Sequence, residues 1–245
     1  MLIIKCKDFS EAYEAINRHF IDNPELSILY GSKNIGKSPL LIELNSINAD
    51  KIDLGVIGYK SGKWPHLLNS YVDLERLKNF YRGLNTSTSS LTYNFKDKDH
   101  GNGGCLRSIT FIRKNKKEFN EIHVMWRTCQ LETKFAADLI LISKIIEQAP
   151  NTKATKIYFH MAEAFQSARY TAYIMEMAFG RKVQDLPEGV PFYKKLKGEQ
   201  SWMNPESELC KRGSIARYQK RYWEWLAGVK FEKVTIKECE LNVNI

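Results

Sequence analysis

The sequence predicts a mixed α/β chain, and three observations carry that expectation. Short apolar runs of strand length, such as LIIKC at 2–6 and IHVMW at 122–126, alternate with segments of helical period, such as EAYEAINRHF and VDLERLKNFYRGL. Hydrophobic residues make up 43% of the 245 positions, enough for one substantial core. No linker or composition shift is sharp enough to divide the chain, so a single domain over 1–245 is expected.

Composition narrows the class further. A charged fraction of 27% together with 12 Phe and 12 Tyr argues against disorder. No apolar run reaches the roughly 18 residues of a membrane span, and the N-terminus lacks the apolar core of a signal peptide. A soluble cytoplasmic protein, with no membrane partner, is expected. The cysteines at 6, 105, 129, 210 and 239 are scattered and without CxxC spacing, so neither a disulfide framework nor a metal site is expected. A net charge of +9 implies an anionic partner: a nucleotide, a polynucleotide or a folate-like polyanion. The basic run KRGSIARYQKRYWEW interleaves cations with aromatics, as single-strand binders do. Its plainer reading is an amphipathic helix with Tyr218, Tyr222 and Trp225 inward and charges outward.

Taken in order, residues 2–6 read as a strand, and Ser10 as the cap of a helix on which Ala12, Ile16 and Phe20 share a face. Asn23-Pro24 breaks that helix. Gly31 to Ser38 then matches G-x-x-x-x-G-K-[ST] after the apolar run LSILY. In a phosphate loop, Gly31 and Gly36 would let backbone amides wrap the phosphates. Lys37 would neutralise charge and Ser38 would hold magnesium. Pro39, however, removes an amide where the following helix should begin, and LLIELNSINAD is too short for that helix. The alternative is a lysine-bearing turn between two strands.

DLGVIGYKSGKWP at 53–65 reads as a loop bordering a site, and 72–84 as a helix with Leu74, Leu77 and Tyr81 on one face. NTSTSSLTYNF reads as a turn followed by a strand, and DKDHGNGG as a hydrophilic loop leading to Cys105. A strand from Cys105, a basic turn at 113–117 and a returning strand at 121–126 form a hairpin that ends at Arg127. Asp138 opens an apolar helix spanning 135–148. A strand at 156–159, a helix at 167–179, an irregular stretch at 181–204, a helix at 214–227 and closing strands from VKFEKVTIKECELNV complete the reading.

The unit from Cys105 to Asp138 resembles the thymidylate synthase superfamily, which includes the pyrimidine hydroxymethylases. There a loop delivers a nucleophilic Cys to a strand, a second strand ends in Arg-Ser, and an early Asn or Asp of the next helix reads the base. Cys105, Arg127-Thr128 and Asp138 match those positions. DLGVIGY is similar to the family's DLGxxYG segment, with Tyr59 near its active-site Tyr, and VKFEKVTI to its FxFEDF strand. The resemblance covers residues 53–180 and 229–236, leaving 1–52 as a divergent N-terminal part and 181–213 as an irregular insertion.

It implies a large mixed sheet flanked by helices, a back-to-back sheet homodimer, and pyrimidine C5 one-carbon transfer to a deoxynucleotide from 5,10-methylenetetrahydrofolate. Cys105 would add to C6, Arg127 and Thr128 would hold phosphate or thiolate, and Asp138 would favour cytosine. Tyr59 and Glu43 are the candidates for proton transfer. A thiolate at C6 makes the poorly nucleophilic C5 enamine-like, which is why the chemistry needs that residue type.

Where the family carries paired arginines reaching across the dimer to the phosphate, this chain has Ser87, Thr88, Ser89 and Ser90. Trp126 replaces the family's Gln, and Phe165 and Ser167 stand where its His-x-Tyr belongs. The departures fall on phosphate, sugar and folate contacts. Alternative readings are therefore an enzyme acting on a base in DNA, a non-catalytic nucleic-acid-binding homologue, and a phosphate-loop protein.

Overall fold

Alternating strand and helix segments build a mixed eight-stranded sheet with helices packed on one face. The computed structural model describes residues 2–22, 28–30, 34–37, 39–96, 105–114, 118–167, 174, 176–180 and 214–243. The elements are β1 (Leu2–Cys6), α1 (Phe9–Asp22), β2 (Ile28–Tyr30), β3 (Asn34–Lys37), β4 (Leu40–Leu44), α2 (Trp64–Tyr71), α3 (Leu74–Thr86), β5 (Ser90–Asn94), β6 (Leu106–Ile112), β7 (Phe119–Gln130), α4 (Lys134–Gln148), β8 (Thr152–Ser167) and α5 (Ser214–Leu226). The sheet runs β1-β4-β8-β7-β6-β5, with the β2–β3 hairpin attached to β8 through β3. Pairs β1–β4 and β7–β8 are parallel and the rest antiparallel, which makes the sheet mixed.

Period-two alternation decides which face is buried. Ile122, Val124 and Trp126 of β7 face inward beside Phe111, Ile109 and Leu106 of β6, and all six are buried. Against that face lies α4, whose residues Phe135 to Ser143 are all buried, as a helix at the centre of a core must be. Tyr81 of α3 donates its hydroxyl to Ile145 O at 2.8 Å, and Tyr13 of α1 donates to Glu132 O at 2.8 Å. These two bonds tie the outer helices to α4. On the other face, His123 is half-buried and Met125 is 43% exposed, so in one chain IHVMW is covered on one side only.

Several expectations need correction. The first cap is Asp8, whose carboxylate accepts from Glu11 N at 2.9 Å, while Ser10 lies inside α1 and bonds Asn48 O. Only the end of the segment read as a site-bordering loop enters a helix: α2 starts at Trp64 with Pro65 in its first turn, where proline is favourable. In α3, Leu77 and Tyr81 are buried but Leu74 is 40% exposed; Asp73 caps the helix by accepting from Glu75 N and Arg76 N. β8 extends from 152 to 167, far beyond the expected 156–159, and absorbs the start of the expected helix at 167. Residues 229–243 form no strand. In α5, Tyr222 is buried and Trp225 packs against the core, as the amphipathic reading requires; the side chain of Tyr218 lies outside the described residues. Among the described residues no helix is long and apolar enough to cross a membrane.

Although not a strand, VKFEKVTI has a definite seat. Asp53 Oδ1 accepts from Val234 N at 3.0 Å, and Leu54 N donates to Val234 O at 2.7 Å. Between those bonds the chains come so close that a Cβ on Gly55 would stand 1.9 Å from Glu232 O. Gly55→Ala is therefore expected to cost about 2 kcal/mol or more of stability, read as a lowered urea midpoint.

Candidate active site

The β6–β7 ladder brings Cys105 to its place. Leu106 pairs with Trp126, and one step further Arg127 N donates to Cys105 O at 2.9 Å. The thiol therefore sits at the mouth of β6, where Thr128 Oγ1 donates to Cys105 Sγ at 3.2 Å. Of the four described cysteines, Cys105 alone is not buried. Burial, with smaller contributions from nearby carboxylates, pushes the thiols of Cys6 and Cys239 up to about 12, and burial raises Cys129 well above the ordinary range. Those three behave as small core hydrophobes.

Asp138 stands in the first part of α4, only 2% exposed, and its Oδ2 accepts from Trp126 Nε1 at 2.9 Å. Burial pushes its carboxyl up to about 7, against the opposing pull of the indole hydrogen bond and the Lys134 charge. Near neutral pH this group is divided between acid and carboxylate. Tyr71, the last residue of α2, has its phenol pushed up first by the Asp138 charge and next by burial, then by Cys105, Tyr59 and Cys129. The same charges of Asp138 and Cys105 bear on Cys129. Cys105, Asp138, Tyr59, Tyr71 and Cys129 therefore share one neighbourhood. It is a thiol, a proton-sharing carboxyl and phenols beside the end of β7.

The remaining expected site residues stand elsewhere. Arg127 is exposed, and the group bonded to the sulfur is the Thr128 hydroxyl. Glu43 pairs with Lys5 at 3.7 Å on the open face of the sheet. In register it is level with Tyr158 and His123, roughly 14 Å across and 13 Å along the sheet from Cys105. That separation removes it as a proton-transfer partner for the thiol. Ser90 pairs with Ile112 and Ser89 O accepts from Arg113 N, which puts both serines roughly 20 Å from Cys105 along β6. Within one chain they do not reach the sulfur.

The described part of the Gly31–Ser38 stretch is strand rather than phosphate loop. Gly36 and Lys37 lie in β3, paired with Phe165 and Ala164, and the next element is strand β4 where the loop requires a helix. Gly31 and Ser38 lie outside the described residues. Among the described residues, no group of three or more His, Cys, Asp or Glu side chains is arranged around a metal position.

Two contributors were missed from sequence. Tyr71 lay between the stretches read as loop (53–65) and helix (72–84) and was assigned no element, although Trp64, Leu68 and Tyr71 carry a helical period. Trp126 was noted only as a replacement; its indole N–H donates to the Asp138 carboxyl. Compared with known proteins, no family model matches the chain, and no curated protein matches it in sequence.

Proposed function

We propose that the chain is a pyrimidine C5 one-carbon transferase of thymidylate-synthase-like fold, cytosine-leaning, working through a Cys105 adduct at C6 of a deoxynucleotide. The observation that carries this reading is the half-buried Cys105 thiol, held by the Thr128 hydroxyl, in the neighbourhood of the buried Asp138 carboxyl. Formation of the Sγ–C6 bond moves the C5=C6 electron pair toward C5, which then takes an electrophile or a proton. Loss of the original C5 proton expels the thiolate and restores the double bond. A carboxyl that holds its proton near neutral pH can donate to cytosine N3 while accepting from the N4 amine.

The family's 5,10-methylenetetrahydrofolate would supply the one-carbon unit, but the cleft near α2 does not fit it. That cleft, of about 360 Å³, is lined by Trp64, Pro65 and Leu68 together with Glu238 and Glu240, whose carboxylates would repel those of folate. No step is therefore assigned through folate. A homodimer belongs to the same proposal. In a dimer, Ser89 and Ser90 could serve the partner's site. A cytoplasmic location belongs to the same proposal.

A base in DNA is the second reading, favoured by the exposed Trp223 on α5 within the basic run. Tritium release from 5-tritiated dCMP, dUMP and a cytosine-containing oligonucleotide, with and without methylenetetrahydrofolate, tests both. Release from mononucleotide supports the first reading, and release from oligonucleotide alone supports the second. No release from any substrate would refute catalysis by this thiol.

A further inference from the structure

We propose that His123 and His160 form a binding site for a borderline divalent metal ion, Zn²⁺ or Ni²⁺, on the open face of the sheet. The parallel register pairs His123 with Tyr158 and Met125 with His160, which makes the two histidines diagonal neighbours on adjacent strands. Their rings lie 15° from parallel with His123 Nδ1 2.9 Å from His160 Nε2. The other nitrogen of His123, Nε2, is 3.0 Å from Glu121 Oε1, and Lys114 Nζ holds the same carboxylate oxygen at 3.3 Å. A carboxylate is an acceptor only, so Nε2 carries the hydrogen and Nδ1 presents a lone pair. A carboxylate fixing the tautomer behind an imidazole is the arrangement that metal-ligating histidines use.

With no metal, His160 Nε2 donates its hydrogen to that lone pair. Transfer of that hydrogen to the other ring nitrogen of His160 frees a lone pair on each facing nitrogen. With 5.1 Å between centroids the rings meet head-on, so a tetrahedral ion with bonds of about 2.0–2.1 Å, which spans nitrogens roughly 3.3 Å apart, requires each ring to turn off that line as the pair opens. Tyr158 lies against His123, with centroids 4.9 Å apart. Met125 stands in register with His160 and is exposed, which offers a thioether at the edge of the site; water completes the shell. Two imidazoles rather than three or four give a labile site, not a structural one. The site lies on the face opposite Trp126 and Thr128 and needs none of the Cys105 chemistry.

The test is titration of the full chain with Zn²⁺ in competition with a chromophoric chelator, run on wild type and on Cys105→Ser. One equivalent is expected to bind both alike. His160→Ala and His123→Ala are each expected to weaken binding at least about 10-fold, and Glu121→Gln about 10-fold through the lost tautomer control. His160→Gln keeps an N–H donor for His123 Nδ1 and serves where the alanine variant fails to fold. It is expected to melt like wild type without metal and to lose the Zn²⁺-induced rise in Tm. Undiminished binding in His160→Gln overturns the site, as does loss of binding in Cys105→Ser, which would put the ion on the thiol instead.

Discussion

Replacing Cys105 with Ser is expected to slow C5 hydrogen exchange by about 10³-fold or more while leaving the protein folded. A free thiol is a few per cent thiolate at pH 7, whereas a serine hydroxyl is almost never ionised there. The nucleophile's population falls by far more than three orders of magnitude, and the residual rate is whatever binding and general catalysis supply. Stability should hardly change, because Ser Oγ can still accept from Thr128 Oγ1 and the site is half-buried rather than core. Thr128→Val removes the contact from the other side, leaving a sulfur without its 3.2 Å donor. A smaller loss, about 10-fold, is expected there. Tritium release over time, read beside a urea melt for each variant, separates chemistry from folding. Exchange at the wild-type rate in Cys105→Ser would end the nucleophile assignment.

What the sequence made legible was local, and what it hid was held by partners distant in the chain. The strand at 2–6, the helices at α1, α3 and α4 and the β6–β7 hairpin were readable because periodicity within each segment matches the face it buries. β8 was read four residues long because TKATKIYFHMAEAFQS mixes strand and helix formers. Its full length is imposed by β7 on one side and by β4 and β3 on the other, which overrides propensity. α2 was missed because its start, Trp64-Pro65, closed a Gly-rich stretch read as loop, although proline is favourable in a first helical turn. In VKFEKVTI, apolar and charged residues alternate as in a strand, but its backbone bonds go to Leu54 and Asp53 rather than to a sheet edge.

The site follows the same division. Cys105 and Asp138 could be named from motif order, yet the groups that hold them could not. The Thr128 hydroxyl bonds the sulfur across the β6–β7 ladder, a contact between positions 23 apart. The Trp126 indole reaches across from strand to helix, a contact between positions 12 apart that depends on the phase of α4 against the sheet.

That indole–carboxyl contact supplies the second large effect. Asp138→Asn is expected to abolish a pH dependence of stability that wild type shows between about pH 4 and pH 7. In the folded chain burial holds the carboxyl up to about 7; unfolded, an aspartate titrates near 3.9. Below about pH 4 both states carry the proton, and the stabilisation of the protonated buried form is fully present. Between the two values the folded state binds more protons than the unfolded state, so stability falls as pH rises and levels off above 7. A gap of about three pH units corresponds to a loss on the order of 4 kcal/mol, with no solvent screening to reduce it at a fully buried group. Asn keeps an oxygen to accept from Trp126 Nε1 but never ionises, so the difference between wild type and variant isolates this one titration from all other carboxylates. Urea unfolding at intervals from pH 4 to pH 8 measures it, and the variant is expected to equal or exceed wild type at pH 8. The same substitution bears on recognition. With its oxygen fixed toward Trp126, the amide turns its NH₂ to the ligand, matching the O4 acceptor of uracil and opposing the N4 donor of cytosine. The ratio of dCMP to dUMP exchange should therefore swing toward dUMP by 10-fold or more, on the order of 1.4 kcal/mol. A flat stability difference across that pH range would refute the buried titration, and an unchanged exchange ratio would leave Asp138 as a clasp between β7 and α4 with no part in reading the base.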